Sequence, residues 1–490
     1  MVKKKMIDER MLLKREKKQK LILENKNLAL SILWLSLPIF LSNFMKSLND
    51  LVDLYFITDL IHSKFVSNAT AALNITNPII TITYAVAGGF MTAGAAIIAQ
   101  YLGAKQKDSA NKVGGQLLIL CIITGIVMNI VLYFLTPSIV TAMGAEGLTR
   151  KYAIQYVQIR SFEMVPLFAF FAFQATRTSS GDTITPFLLN IIMIISNLVL
   201  TFIFMYFFKM GLRGAALGTI LVNIIIMPIF MLMLFSKSDR HIHITKADIK
   251  IDPAEIRRIF NLSWPVSVAQ SFTSLGFIIL NSMILSYGDP VVNAFGTGNR
   301  INSLVLLPAM GIGSITATFV GQNIGAGNTK RAKESVKAAM ILSILMAIIG
   351  AAIIMPIRRP LIYIFLKEQP IALEKSIEYM FFLLAGLPLM SIFQVYMRTY
   401  QGSGETKFSL ILSIFRLWGL RIPLVLLFKN VFNLPESSLW YAMTISNFGS
   451  AYIGVILYSK CNFEPKVNIN RDKKIDEKVP RTRKKEPCLT

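Results

Sequence analysis

"AQYLGAKQKDSA" at 99–110 and "GQNIGAGNTKRA" at 321–332 are two versions of one stretch. Gln100, Gly103, Ala104 and Ala110 of the first fall on Gln322, Gly325, Ala326 and Ala332 of the second. Each closes a long apolar run and opens a basic loop. Two further landmarks keep nearly the same offset. "WLSLP" at 34–38 parallels "NLSWP" at 261–265, so Pro38 aligns with Pro265. "TRTSSGDT" at 176–183 parallels "MRTYQGSGET" at 397–406, which pairs Arg177 with Arg398. Gly-Ala and Gly-Asp-Thr are ordinary turn chemistry when met singly. Three ordered matches at nearly one offset make the chain a duplicated hydrophobic unit.

Composition says where such a unit lives. Of 490 residues 54% are hydrophobic and 16% charged, whereas soluble domains are about one quarter charged. The apolar residues form runs of bilayer length rather than stripes. Twelve such runs lie between 29 and 459, six in each half. The expected fold is an all-α integral membrane protein with twelve transmembrane helices in two pseudo-symmetric six-helix bundles. An even number of spans per unit inserts both halves the same way up, with the symmetry axis along the membrane normal. The expected organisation is a basic N-tail 1–27, an N-lobe 28–235, a polar linker 236–258, a C-lobe 259–460 and a basic C-tail 461–490.

The formal charge of +24 does not imply nucleic acid, because its distribution follows the membrane. With the N-terminus in the cytoplasm, the cytoplasmic tails and loops hold 36 of the 51 Lys and Arg residues. That positive-inside bias places both termini in the cytoplasm. The tails then serve topology and attraction to anionic lipid. The N-tail is too charged for a secretory signal, and the apolar run after it is of full span length. Cys121, Cys461 and Cys488 show no pairing or metal spacing. His241 and His243 lie beside Asp239 without a clear third ligand, so a solvated loop is the reading there. No nucleotide loop or nucleophile constellation supports an enzyme.

Ionisable residues inside spans are costly and therefore functional candidates. The first span holds Lys46, Asp50 and Asp53, whose spacings of four and three put them on one helical face. Lys46 is expected to offset Asp50, leaving Asp53 to exchange a proton or Na⁺. The two carboxylates alternatively titrate as a coupled pair. Candidate cavity residues are Asn49, Tyr55, Asn74, Asn77 and Tyr84 in the first two spans. Pro38 and Pro78 are candidate bend points, because an interior proline frees a backbone carbonyl. Glu163 is expected to pair locally with Arg160. Arg300, Arg416 and Arg421 are read as structural rather than cavity-lining.

The motifs "LPIFLSNFMKSLNDLVDLYFI", "AQYLGAK", "SSGDTITP", "NLVLTFIF", "GLRGAALGT" and "RINSLVLLPAMGIGSITATFVGQNIGAGNTKRA" are found in this order. Together they resemble the multidrug and toxic compound extrusion (MATE) transporters, across about residues 28–460. The resemblance implies two lobes around a V-shaped cavity and export of drugs or organic cations against inward H⁺ or Na⁺, with no cofactor. It also implies that Asp53, in "LVD", is the family's cation or proton site. Some members follow a fifth-span Asn with Asp four residues on and a sixth-span Thr; here the positions read Asn197, Thr201 and Thr219, so the Asp is missing. Members with carboxylates in the seventh and tenth spans find no match, and the C-half counterpart of Asp53 is Leu280. Partners expected are small amphipathic or cationic drugs and the lipid bilayer, with no nucleic acid, for a monomer in a bacterial plasma membrane. The alternative is a flippase of lipid or lipid-linked oligosaccharide from the same superfamily.

Overall fold

A computed structural model describes residues 19–60, 63–236, 242–367 and 369–469. The side chains of residues 50, 51, 53–55, 57–60 and 63–65 lie outside that description. The chain is helical nearly throughout. The first half comprises α1 (Leu28–Leu60), α2 (Ser63–Gly103), α3 (Lys107–Ala142), α4 (Gly147–Ser161), α5 (Met164–Ser179), α6 (Ile184–Phe202) and α7 (Leu212–Phe235). The second comprises α8 (Pro253–Leu285), α9 (Asp289–Gly325), α10 (Thr329–Leu366), α11 (Pro370–Ser403), α12 (Thr406–Ile414), α13 (Ile422–Asn430) and α14 (Ser437–Ser459). A π-helical stretch, Ile203–Phe207, ends α6, and another, Phe415–Arg421, joins α12 to α13.

Among the described residues ten helices are long and apolar enough to cross a bilayer. Two more segments bring the pattern to the expected twelve traverses. One is α4 with α5, a single traverse broken at Phe162–Glu163 into pieces of 15 and 16 residues. The other is α14, long enough at 23 residues but diluted in hydropathy by serines, tyrosines and an asparagine. Backbone groups in lipid must be satisfied internally, so continuous helix is the default and a break is an exception to be explained.

The packing repeats between halves. α2 rests on α5 as α9 rests on α11, α3 on α5 as α10 on α11, and α1 on α6 as α8 on α12. The halves meet along α2 against α8, and α9 against both α1 and α2. Both α1 and α2 continue as helix through Pro38 and Pro78.

Local chemistry fixes the ends. Pro253 opens α8 behind Asp252, whose carboxylate accepts from the backbone N–H groups of Ala254 (2.9 Å) and Glu255 (3.4 Å), a cap worth about 1 kcal/mol. Lys112 at the start of α3 reaches the other oxygen of Asp252 at 2.6 Å. That hydrogen bond, foremost, holds the Asp252 carboxyl below the usual carboxylate range. Gln116 binds the carbonyls of Asp248 and Lys250 and accepts from the Asp252 N–H. The segment between the halves is thus strapped to α3 through its backbone.

Candidate functional site

A cavity of about 410 Å³ lies between the halves, walled by α1, α2, α4 to α7, α9 and α11. Its surface is mostly apolar, with polar groups projecting from defined helix faces. On α1 the lining residues Ile39, Ser42, Asn43, Lys46 and Asn49 recur every three or four positions. On α6 they are Pro186, Phe187, Asn190, Met193, Ile194 and Asn197, again one face. Only Met310, Ser314, Ala317, Thr318 and Arg398 come from the second half. The first half carries most of this wall.

The sequence candidates divide into three groups. Pro38, Asn49, Tyr84, Asn197 and Thr219 line the cavity. Asn197 donates through Nδ2 to Thr219 Oγ1 (3.1 Å), which itself donates to the Ala215 carbonyl, and Asn223 donates to the Thr219 carbonyl. The first bond ties α6 to α7, the other two lie within α7, and together they leave neutral oxygens and amides on the cavity wall. Thr201 departs from its expected place: it is 1% exposed and packs on Gly218, where its hydroxyl would meet a Cβ at 2.7 Å. The close α6–α7 crossing turns it behind the wall. Asn74, Asn77 and Pro78 are not on the wall either; Asn77 stands two turns beyond Tyr84 on α2, and both asparagines are exposed. The backbone of α1 carries Asp50, Asp53 and Tyr55, whose side chains lie outside the described residues, as does all of His241.

At the wall, with Glu163 behind it, sits a cluster that spacing alone revealed in part. Glu163 is 0% exposed. Its Oε1 accepts from Arg160 Nη2 at 2.8 Å and from the Tyr84 hydroxyl at 3.1 Å, while Arg160 also reaches Tyr84 (3.4 Å) and Tyr156 (3.4 Å). Lys46 lies over the Tyr84 ring, 5.0 Å from its centroid. The break between α4 and α5 falls at Glu163 itself. The i,i+3 spacing pointed to the Arg160 pair; nothing in the sequence joined Glu163 to Tyr84, a cavity candidate from another helix.

The end of the cavity nearest the Gln-x-x-Gly-Ala loops is closed. Thr318 donates to the Thr178 carbonyl across the halves (3.1 Å). Below it Gln322 donates to the Ser179 carbonyl (2.6 Å), and Gln100 to the Gly402 carbonyl (3.4 Å). The two loops cross so tightly that a Cβ on Gly103 would lie 1.9 Å from the Gln322 carbonyl oxygen, and one on Gly325 1.8 Å from that of Gln100. Only glycine fits at either place. Lys466, just past α14, donates its backbone N–H to Gln100 Oε1 (2.9 Å), and Ile22, just before α1, is wholly buried beside the second loop.

Among the described residues, buried cations elsewhere in the second half are structural. Arg421 donates to Ser446 and Asn447, and Arg416 lies 4.1 Å over the Phe393 ring, both off the cavity wall. Arg300 is exposed. No group of three or more His, Cys, Asp or Glu fit to hold a metal is present among the described residues.

Two pseudo-symmetric helical bundles around a membrane-embedded cavity define a multi-pass membrane transporter. The MatE family model matches the chain twice, over residues 38–203 and 265–427, and the protein belongs to that family. It is 24% identical to the probable multidrug resistance protein YoeA of Bacillus subtilis, over 82% of this chain and 87% of that one. It is 22% identical to the multidrug export protein MepA of Staphylococcus aureus, over 81% and 87%. A solved MOP superfamily transporter from Pyrococcus furiosus, described as having reverse polarity of its binding pocket, superposes with a TM-score of 0.84 at 24% identity, covering 90% of this chain and 97% of that one. A MATE structure in a bent conformation gives 0.82 at 24%, covering 94% and 99%.

Proposed function

We propose that this protein is a secondary active multidrug exporter that moves small amphipathic or cationic compounds out of a bacterial cell by antiport with H⁺ or Na⁺. The observation that carries the reading is the cavity between two like halves, closed at the loop end by reciprocal contacts. An alternating-access carrier needs such a chamber with one sealed end at a time. The positive-inside bias makes the sealed end cytoplasmic, so the chamber would load from the cytoplasm once the clasp parts.

In this reading Asp53 on α1 exchanges the coupling ion, with Asp50 beside it. Asn197 and Thr219 supply neutral oxygens, and Thr201 shapes the helix crossing behind them. Cation loading changes the charge on α1 and thereby the balance between the two states. Pro38, on the cavity wall, leaves the carbonyl four residues before it without its usual helical donor, giving α1 a place to bend. The aromatic residues Phe170 and Phe171 and the flexible Met91, Met193 and Met310 suit varied flat ligands.

The test is ethidium uptake into everted vesicles, or efflux from whole cells, with proton and sodium gradients imposed separately. One gradient should drive export in the wild type, and Asp53→Asn should abolish the driven component while leaving ethidium binding in place. Export indifferent to both gradients and to Asp53→Asn would sink the antiporter reading.

A further inference from the structure

The described wall of the cavity carries charge of one sign. Lys46, Arg160 and Arg398 are on it, and no Asp or Glu is among its described lining residues. Glu163, behind the wall, is already committed to Arg160 and Tyr84. Lys46 shares α1 with Asp50 and Asp53, so Arg398 is the informative cation.

Arg398 and Arg177 occupy the same place in the two repeats yet meet opposite fates. Arg177 is 2% exposed, donates through Nη2 to the Met233 carbonyl (3.0 Å) and lies over the Phe173 ring (5.1 Å). It is part of the packing of its own half. Arg398 is half-buried and leaves its half for the cavity. Its stem crosses α9 at Gly313, where a Cβ would come within 3.2 Å of its Cγ. Among the described residues its guanidinium donates to Gln401 Oε1 (3.1 Å) and forms no ion pair with a carboxylate.

The backbone of α1 places Asp53 well away from it. Gly311, next to that crossing on α9, abuts Ser36 and Phe40 of α1, which fixes Arg398 at their level. Asp53 lies about 20 Å further along the same helix, at 1.5 Å per residue. A guanidinium within a membrane protein is held facing a cavity or a partner because lipid cannot solvate it. Here the partner is a neutral amide, and the residue lies on the cavity wall. The same cavity wall carries the hydroxyl residues Thr178, Ser314 and Thr318 and the apolar Phe170, Phe171 and Met310.

We propose that Arg398 is an anion-recognising residue at the closed end of the cavity, and that the compounds bound there include amphipathic carboxylates whose head group sits on its guanidinium. A planar carboxylate meets the Arg fork with two parallel hydrogen bonds, which an ammonium head cannot do. The proposal rests on the exporter reading and specifies the ligands of the same chamber.

Purified protein in lipid nanodiscs is titrated with two probes of one apolar body, pyrenebutyrate and a pyrenyl alkyltrimethylammonium. Arg398→Gln should weaken pyrenebutyrate roughly tenfold or more, the size of a lost charge-assisted hydrogen-bond pair, and leave the ammonium probe unchanged or tighter. Arg398→Lys, which keeps the charge and loses the fork, should fall between. Should Arg398→Gln fail to fold, the Lys variant decides. Pyrenebutyrate affinity that survives both substitutions overturns the proposal, as does equal weakening of both probes. Gradient-driven ethidium efflux is measured alongside: its absence with pyrenebutyrate binding intact counts against the antiporter, and the reverse pattern counts against Arg398.

Discussion

Glu163 shows how a single side chain sets the terms for its neighbourhood. Its carboxylate is wholly buried, one oxygen holds Arg160 and Tyr84, and the other has no hydrogen-bond partner among the described residues. Removing one member of such a pair strands the other charge, at a cost of about 3–5 kcal/mol. Glu163→Ala should therefore lower the melting temperature in detergent strongly, whereas Glu163→Leu combined with Arg160→Leu should recover much of the loss. A double variant no more stable than the single one would show that the pair is not a closed unit. At this scale the sequence was only partly readable. Spacing along one helix gave the Arg160–Glu163 pair and a face of α1 with Lys46, Asp50 and Asp53, of which Lys46 is on the cavity wall, as is the cavity candidate Asn49. It did not place Asn74 and Asn77, or turn Thr201 behind the wall. Helices apolar on all sides carry no stripe that distinguishes the face toward the cavity from the face toward lipid. Residue facing then depends on contacts between helices, which one helix's pattern does not contain.

Among the elements, the crossing of the two Gln-x-x-Gly-Ala loops has the sharpest consequences. Sequence reading found both copies and their repeat but took them for tight turns at helix ends. Their role as mutual obstacles, with each glycine set against the other's carbonyl, became visible only once α2 and α9 were placed side by side. Gly103→Val should hold the closed end apart without disturbing either bundle. The measurement is maleimide labelling of Thr318→Cys, with Cys121, Cys461 and Cys488 replaced by Ser. Labelling from the cytoplasmic side should rise severalfold in the Gly103→Val background. Equal labelling in both backgrounds would mean that the loops do not seal the chamber. The break at Phe162–Glu163 was likewise not read beforehand: Arg160, Ser161 and Glu163 interrupt the apolar run there, but no glycine marks a turn, and Pro166 lies just inside the new helix start, where proline is tolerated.

For the whole molecule most of the architecture was legible. Bilayer-length runs gave the spans, the three landmarks gave the duplication, and the Lys and Arg distribution gave an orientation. The orientation makes its own prediction. In intact cells a membrane-impermeant maleimide should label Glu146→Cys, and label Lys330→Cys only after permeabilisation, both in a background without native cysteines. The opposite pattern would invert the molecule and make the sealed end external. Duplication usually leaves two copies free to drift apart, and here they have done so: Asp53 answers to Leu280, and buried Arg177 to cavity-facing Arg398. The crossed glycines permit no such drift. Each is opposed by main chain, which every residue possesses, so no side-chain change in one copy relieves a Cβ gained by the other. The two loops therefore inherit as one character, and a lineage of such proteins must keep both or lose the seal.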